Sequence, residues 1–299
     1  MDLLTKIKIN NSIKISDSTR KSLNLVVAKL KRLEIEEFVN ERLYLPATYL
    51  LQSPGKLARP GLVFACAKAL RRNPEEYVDL AAAIELIHTS SLIHDDIIDG
   101  DRIRRGKRSV HVEYGIEKAI LAGNALISKG IMLVSKYGRT VIDKSADAAM
   151  KMCAGEMLDY EMQASGNPLD TEAYIRIAEL KTGALIAASA SLVAYEIGHP
   201  GKERLYNFGM NAGIAVQMRD DIMNYAGLTD KSLKTTRSDM DNSRPNIVSV
   251  LSANGSDELE AAVRLCESYR AKAVESLYGI EDIDTIELLG FLEFLKVRI

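Results

Sequence analysis

Several residue types that mark particular classes of protein are scarce in this sequence. Its 299 residues include no tryptophan, five phenylalanines, three cysteines and seven prolines. Proline and glycine occur singly rather than in linker-like runs, so we expect one domain that spans residues 1–299. The cysteines lie far apart without the spacing of metal ligands. We expect all three to be small core residues of a protein in a reducing cytoplasm: Cys66, Cys153 and Cys266.

Long apolar runs and an excess of charge are also missing. The longest apolar stretch, residues 183–195, is shorter than the ~20 residues that a membrane-spanning helix needs. The first ten residues contain lysines but no apolar core of signal-peptide length. A net charge of −2 argues against a general nucleic-acid binder. We therefore expect a soluble, cytoplasmic protein that is neither an integral membrane protein nor bound to nucleic acid.

Helical periodicity dominates what is present. Apolar residues recur with helical spacing in many segments, and no segment alternates with a period of two for long enough to suggest a sheet. At 47 % apolar residues, the chain can bury a sizeable core. These patterns predict an all-α, single-domain bundle of roughly ten or more helices. The most apolar segments, residues 75–95 and 171–197, are expected at its centre.

Two acidic clusters are the most informative feature of the chain. Each places oxygen-bearing side chains at i, i+1 and i+4 of a predicted helix, where i and i+4 share a face. The clusters are Asp95, Asp96 and Asp99, and then Asp220, Asp221 and Asn224. Carboxylates this close repel one another, but a hard cation offsets the repulsion, and Mg²⁺ prefers one or two carboxylates together with phosphate oxygens. The pair of clusters therefore predicts a shared metal and diphosphate site.

Cations stand near the acidic clusters, as a bound diphosphate would require. Residues 101–108 bring several arginines and lysines directly after the first cluster. Lys56 and Arg59 precede a predicted helix, and helix N-termini attract anions. Lys181 interrupts an apolar helix, which is costly unless the charge has a partner. His88 lies two helical turns before Asp95 on the same face, which favours a role in the site.

Taken together, these residues resemble the trans-isoprenyl diphosphate synthase (polyprenyl synthetase) family, in particular its geranylgeranyl diphosphate synthases. The matches occur in the family's order and cover most of the chain. They comprise the first aspartate motif at Asp95, Asp96 and Asp99, and the pairs Gly55-Lys56, Arg59-Pro60, Arg104-Arg105, Lys181-Thr182 and Ser238-Asp239, with His88 and Gln217.

The resemblance implies a fold, a reaction and a cofactor. The fold would be the isoprenoid synthase fold, with its helices around a central substrate cavity. The reaction would be a Mg²⁺-dependent head-to-tail (1′-4) condensation of isopentenyl diphosphate with an allylic diphosphate, which could be dimethylallyl, geranyl or farnesyl diphosphate. A cluster of three Mg²⁺ ions would bind with the diphosphate. The enzyme would be a prenyltransferase and a homodimer.

The resemblance also implies roles for individual residues. Those expected to hold isopentenyl diphosphate are Lys56, Arg59, His88 and Arg105. The expected metal ligands are Asp95, Asp96, Asp99, Asp220, Asp221 and Asn224. Neutralisation of the allylic leaving group falls to Arg104, Lys181 and Lys234, with Thr182, Gln217 and Arg244 as further substrate contacts. The released diphosphate would accept the proton, which fits a sequence without a Ser–His–Asp arrangement.

Some positions depart from the family pattern, and two other functions compete with the leading one. The departures are Asn224 and Asn124 where Asp is common, Leu57 for Arg, Val216 for Phe, and residues 243–246 for Gly-Lys-x-Thr. A weakly active or regulatory subunit of a heteromeric synthase would tolerate such changes, yet both aspartate pairs are present. A class I terpene cyclase would need neither Lys56 nor Arg59.

Small residues at the expected floor of the cavity predict a long product. In the family, the positions four and five residues before the first aspartate often stop elongation when they are aromatic. Here they are Ser91 and Ser90, and Ile87 lies one turn further up. We therefore expect an all-trans product of geranylgeranyl length or somewhat longer. Other helices could still close the floor at geranylgeranyl length, through Met132, Met157 or Tyr160.

Overall fold

The computed structural model describes residues 16–165, 169–227, 234–235, 246–252 and 258–295, and in these ranges nearly all regular structure is helical. This confirms the predicted all-α fold. In chain order the helices are α1 (Asp17–Lys31), α2 (Glu41–Thr48), α3 (Ala58–Ala69), α4 (Val78–Asp99), α5 (Val110–Tyr114), α6 (Ile116–Val134), α7 (Arg139–Ser165), α8 (Thr171–Ala178), α9 (Ala184–Glu196), α10 (Lys202–Tyr225), α11 (Ile247–Ser252), α12 (Glu258–Leu277) and α13 (Ile286–Phe294).

The two segments expected at the centre of the bundle are buried. Every residue of α9 from 184 to 195 is buried, and α4 is buried along most of its length. In α9 the buried serines are satisfied locally, since Ser189 and Ser191 donate to carbonyls one turn earlier. Around this pair, α6 packs along α4, and α10 packs along both α9 and α12. The central helices thus carry the first acidic cluster and the segment that contains Lys181.

Two helices near the site differ from their predicted form: one continues further than predicted, and the other is interrupted. Helix α4 continues past Asp95 to Asp99 and ends at Gly100, whose φ of 67° suits glycine at a helix end. The predicted helix 171–197 is interrupted by a π turn at Glu179–Gly183. Single π turns of this kind often occur at functional sites, and this one carries Lys181.

Glycines let the neighbouring helices press closely against the π turn. A Cβ atom built at Gly155 of α7 would overlap the backbone nitrogen of Lys181. On the opposite side, a Cβ at Gly213 of α10 would lie 2.6 Å from the Cα of Gly183. Because both distances are shorter than real Cβ contacts, only glycine fits at either position. The backbone of the π turn is therefore fixed between α7 and α10.

A small sheet that the sequence did not predict lies beyond the first acidic cluster. Strands β1 (Ile103–Arg104), β2 (Lys107–Arg108) and β3 (Lys234–Thr235) are antiparallel, with β1 in the middle. Arg105 and Gly106 between β1 and β2 both have positive φ, of 54° and 73°, as in the two-residue turns typical of hairpins. Two-residue strands are too short to show an alternating pattern. In the register of the sheet, Arg104 stands opposite Lys234.

One expectation about burial was wrong. Cys66 and Cys266 are buried as predicted, but Cys153 is exposed, because it lies on the outer face of α7 together with Met150 and Met157. The side chains named as an alternative floor for the cavity, Met132, Met157 and Tyr160, are exposed to solvent. Their role as a floor stays a prediction.

Within the described ranges, two helical segments are long and apolar enough to cross a membrane by length and composition alone. In Thr171–Glu196, 83 % of the most apolar window is buried inside the fold, whereas in Ile116–Tyr137 the share is 39 %. The first of these is thus a core segment, as its place in the bundle requires. The second has an exposed apolar face.

We expect Gly155→Ala to lower the free energy of unfolding by about 1–3 kcal/mol, because its Cβ can be accommodated only if the π turn moves. Urea unfolding at one protein concentration measures the change. Gly61→Ala is the matched control, since a Cβ there meets nothing within 4 Å. Alanine at this helical position should be neutral or stabilising by about 0.5–1 kcal/mol. Equal stability of the two variants would contradict the tight contact at Gly155.

Candidate active site

The two acidic clusters border one region, on the C-terminal ends of α4 and α10. Arg59, near the start of α3, interacts electrostatically with Asp95 of the first cluster and with Asp220 of the second. The side chain of Asp220 remains 63 % exposed and lies near the charges of Arg219, Lys56 and Arg59. Carboxylates and cations from helices far apart in sequence therefore line the same space.

Asp95 lies in the most crowded acidic part of this region. Burial, together with the nearby charges of Glu156 and Asp99, raises the pKa of its carboxyl group to about 7, against the opposing charges of Lys181 and Arg104. A carboxylate whose charged form is disfavoured in this way gains from a bound cation. The donors here are hard carboxylate oxygens, the ligands that Mg²⁺ prefers, so the residues fit this ion.

Lys181 contacts two carboxylates that sequence reasoning missed. Its Nζ lies 2.6 Å from Oδ2 of Asp159 and 2.6 Å from Oε2 of Glu156, both on α7. Burial alone would lower the pKa of Lys181, but these two carboxylates and Asp95 raise it above its ordinary value. Asp159 also accepts from Gln163 at 3.0 Å. The spacing i, i+3 on one helix face was the only signal in the sequence for this acidic pair.

Asp96 and Arg104 pair with each other. Asp96 is fully buried, and Arg104 donates to its Oδ1 from Nε at 2.7 Å and also from Nη2. Arg104 Nη2 makes a further contact of 3.2 Å with Oδ2 of Asp101, which is also buried. Asp96 had been expected to bind metal and Arg104 to neutralise a leaving group. In this structure their charges offset each other beneath the exposed end of the cluster.

Arg59 and His88 lie together, with unused donors, where the isopentenyl diphosphate pocket is expected. Nη1 of Arg59 lies 3.1 Å from Nε2 of His88. Arginine only donates, so Nε2 accepts and the proton of a neutral imidazole is on Nδ1. Burial lowers the pKa of His88 well below its ordinary value, and Arg59, Arg105 and Arg104 lower it further. Arg59 Nε and His88 Nδ1 are buried and have no hydrogen-bond partner within the described part of the chain. Two such donors fit an anion.

The other residues expected at this pocket come from the start of α3 and from the turn between β1 and β2. Lys56 is exposed at the start of α3, and Leu57 has a positive φ of 52° and a buried side chain, so that this departure from the family pattern packs into the core. Arg105 donates from Nη2 to Oε1 of Glu85 at 3.0 Å.

Asp221 is oriented by a chain of hydrogen bonds. Thr182 donates to Gln217 at 2.8 Å, and Nε2 of Gln217 donates to Oδ1 of Asp221 at 3.0 Å. Oδ2 of Asp221 accepts from the hydroxyl of Tyr174 at 2.7 Å and from the backbone N–H of Ile247 at 3.2 Å. Burial raises the pKa of Asp221 to about 6, although these hydrogen bonds oppose the rise. Thr182 and Gln217 thus hold a carboxylate, and sequence reasoning missed Tyr174.

Other predicted residues lie further out or outside the described part of the chain. Asn224 is exposed, one turn after Asp220. For Lys234 only the strand backbone is described, and Arg244 and the Ser238-Asp239 pair lie outside the described residues. Ser91 shares the face of α4 that carries His88 and Asp95, with its hydroxyl bonded to the carbonyl of His88 at 2.9 Å.

Ser90 and Ile87 face α6. The hydroxyl of Ser90 donates to the carbonyl of Gly123 at 2.8 Å, and a Cβ built at Gly130 would lie 3.0 Å from Cγ1 of Ile87. These two predicted chain-length residues therefore belong to the contact between α4 and α6, whereas Ser91 points toward the candidate site.

No three His, Cys, Asp or Glu side chains converge as a ready-made metal centre in the described ranges. Mutual repulsion keeps such carboxylates apart until a cation offsets it, and Mg²⁺ commonly completes its ligand set with phosphate oxygens and water.

Comparison with known proteins finds a matching family model and similar proteins over most of the chain. The family model described as polyprenyl synthetase matches residues 40–280. The short chain isoprenyl diphosphate synthase of Methanothermobacter thermautotrophicus is 31 % identical, over 94 % of this chain and 97 % of its own length. The geranylfarnesyl diphosphate synthase of Natronomonas pharaonis is 33 % identical, over 76 % and 77 % of the two chains.

Solved structures are similar over almost the whole chain. The geranylgeranyl pyrophosphate synthetase of Pyrococcus horikoshii is 26 % identical, with a TM-score of 0.82 over 94 % of this chain and 97 % of that one. A geranyltransferase from Helicobacter pylori, complexed with magnesium and isoprenyl diphosphate, is 25 % identical, with a TM-score of 0.75 over 94 % and 98 %.

We expect Tyr174→Phe to raise the pKa of Asp221 above about 6. The variant removes a hydrogen bond that favours the charged carboxylate, and such bonds correspond to roughly one pKa unit or more. An NMR titration of labelled aspartate carboxyl carbons, assigned with Asp221→Asn, measures the shift. Tyr225→Phe, at an exposed position on the same helix as Asp221, is the control. If Asp221 had the same pKa in Tyr174→Phe and in Tyr225→Phe, the hydroxyl of Tyr174 would not be a determinant of that pKa.

Proposed function

Because this chain belongs to the polyprenyl synthetase family and is therefore a prenyltransferase, we propose that it condenses isopentenyl diphosphate with an allylic diphosphate, head to tail. The product is an all-trans prenyl diphosphate of geranylgeranyl length or somewhat longer. The allylic substrate is dimethylallyl, geranyl or farnesyl diphosphate. Incubation of the purified protein with Mg²⁺, isopentenyl diphosphate and each allylic substrate in turn tests the proposal.

One observation carries this function above others. A cationic pocket with unused buried donors, at Arg59 and His88, lies beside the acidic region of Asp95 and Asp220. A reaction between two diphosphates needs one site that binds its anion through cations alone and another that binds through metal. A terpene cyclase has a single diphosphate to bind, and a regulatory subunit needs neither site. The paired arrangement therefore favours the elongating enzyme.

The carboxylates are placed to hold a metal-bound diphosphate. Members of the family generally use Mg²⁺. We assign Asp95, Asp99, Asp220 and Asp221 as the principal ligands, with Asp96 and Asn224 as further oxygen donors, in a site for three ions. When bound, these ions stabilise the negative charge that builds up on the departing diphosphate. The hydrogen bonds to Asp221 fix one ligand before the ions arrive, which reduces the cost of assembling the site.

Cations of the chain complete the stabilisation of the leaving group. Lys181 carries its ammonium group beside Asp95 and is held there by Glu156 and Asp159. Arg104 lies beneath the first cluster, and Lys234 follows on the neighbouring strand. Once the allylic diphosphate has left, the double bond of isopentenyl diphosphate attacks the allylic carbon, and the released diphosphate accepts the proton. The ring of His88, with its lowered pKa, remains neutral and serves as a donor to the anion.

The exposed surface of α6 and α7 supports a homodimer. Half of the large apolar side chains that are exposed in the described residues lie on these two helices, and exposed apolar patches often mark interfaces. They are Ile116, Ile120, Leu121 and Met132 on α6, and Met150, Met157, Leu158 and Tyr160 on α7. Coverage by a second copy also accounts for the apolar face of Ile116–Tyr137 in a soluble protein. We place this protein in the cytoplasm.

We expect removal of Mg²⁺ by a chelator to abolish condensation, and its return to restore it. Asp95→Ala should lower turnover by about 10²–10³-fold or more, as when one electrostatic stabiliser of a leaving group is lost. Radiolabelled isopentenyl diphosphate in a quenched-flow assay measures the rate. Asp143→Asn, an exposed carboxylate paired with Arg139 on α7, should keep normal turnover. Normal turnover in Asp95→Ala would refute the assignment.

We expect Ser91→Phe to shorten the product toward farnesyl length, because a rigid ring on the face of α4 that carries Asp95 narrows the space for the growing chain. Ser90→Phe should also shorten it, but at a cost in stability, since its ring must displace Gly123. Chromatography of the dephosphorylated products measures chain length, with Ser268→Phe on the exposed face of α12 as control. If the unmodified enzyme stopped at farnesyl length, or if both variants gave unchanged products, the growing chain would not lie along this part of α4.

A further inference from the structure

Glu85 is a buried carboxylate that the proposed reaction does not use. It lies on α4 one turn before His88, and the residue is 2 % exposed. An ionised carboxylate in the core is costly unless it is paired and hydrogen-bonded. Burial raises the pKa of Glu85, and the charges of Arg105 and Arg59 oppose the rise. The residue therefore depends on these two cations, both of which belong to the expected isopentenyl diphosphate pocket.

Arg105 reaches Glu85 from the turn between β1 and β2. Its Nη2 donates to Oε1 of Glu85 at 3.0 Å. Its Nη1 donates to the carbonyl oxygens of Leu50 and Ser53, at 3.4 and 3.3 Å. One guanidinium group thus connects the hairpin, the centre of α4 and the loop that precedes α3.

The same guanidinium lies against the loop that carries Lys56. A Cβ built at Gly55 would lie 3.2 Å from both Nε and Nη2 of Arg105, tighter than ordinary contact, so the absence of a side chain at Gly55 gives the guanidinium its place. A shift of the Arg105 guanidinium would therefore also move the loop that carries Lys56.

Two guanidinium groups beside one pocket repel each other before an anion arrives. Among the charged groups that act on Arg59, Glu85 has the largest favourable effect, while Arg105 has an unfavourable one. Glu85 therefore offsets the repulsion from a position behind both cations. Nε of Arg59 and Nδ1 of His88 are then left for the anion, as buried donors without an acceptor in the described residues. A pocket ordered in advance binds its ligand at lower entropic cost.

We propose that Glu85 is a positioning residue for the isopentenyl diphosphate pocket, which holds the guanidinium of Arg105, and through it the loop at Gly55 and Lys56, in the arrangement that receives the diphosphate. This inference rests on the function proposed above. Glu85 makes no contact with substrate and transfers no proton; it acts through the two arginines.

The test compares Glu85→Gln and Glu85→Ala with Asp79→Asn. Asp79 lies on the same helix and is paired with Lys29 at 2.7 Å and with Lys136, far from the pocket. Steady-state kinetics with each substrate varied in turn should show KM for isopentenyl diphosphate raised about tenfold in Glu85→Gln and up to about 100-fold in Glu85→Ala, the size expected for a charge-assisted hydrogen bond. We expect kcat and the KM for the allylic substrate to remain unchanged. Asp79→Asn should lower Tm and leave both KM values unchanged.

A binding measurement keeps the inference testable without turnover. Calorimetric titration of inorganic diphosphate in the presence of EDTA reports the cation-lined pocket, and its affinity should fall in both Glu85 variants but not in Asp79→Asn. Circular dichroism confirms that each variant is folded. Unchanged affinity in folded Glu85→Gln and Glu85→Ala would overturn the inference, as would an equal change in both KM values. If the unmodified protein condensed no allylic substrate, the proposed function would fail, and the titration would still decide the role of Glu85.

Discussion

Several carboxylates lie close together on α4 and α10, and each needs a cation or a hydrogen-bond donor that other parts of the fold supply. Asp96 has Arg104, Glu85 has Arg105, and Asp221 has Tyr174. Around Asp95, burial and the nearby charges of Glu156 and Asp99 outweigh the cations Lys181 and Arg104, so that the pKa of its carboxyl group is raised. The protein thus neutralises the acidic groups beneath the site and leaves the outer ones to attract a cation.

These pairings explain why the bundle brings distant helices together. Lys181 meets the carboxylates of α7 because glycines at 155 and 213 admit the π turn between α7 and α10. The hydrogen-bond chain from Thr182 to Asp221 runs through Gln217, so the same turn also orients the second cluster. Packing and electrostatics are therefore coupled here, since a change in the helix contacts also moves charges.

Much of the fold and part of the site could be predicted from the sequence. The helices carry long periodic patterns, and the aspartates stand in clusters whose spacing is itself the signal. Glu85 and Tyr174 carried no such signal, because each is a single residue whose partner lies far away in sequence, and the i, i+3 spacing of Glu156 and Asp159 is common on exposed helix faces. The three two-residue strands are too short for any periodicity. Exposure was misjudged at Cys153, because residue type alone does not tell which face of a helix is covered.

The π turn also has a consequence for how this segment tolerates length changes. A π turn closes its hydrogen bond over one residue more than an α turn, so the segment from 171 to 196 contains one residue beyond what a continuous helix would need. The π turn absorbs this residue, so deleting one residue there would give a regular helix without rotating its two halves against each other. The deletion would remove the bulge from which Lys181 contacts α7 and Thr182 contacts α10. The extra residue therefore shapes the site locally and leaves the helical phase of the central segment unchanged.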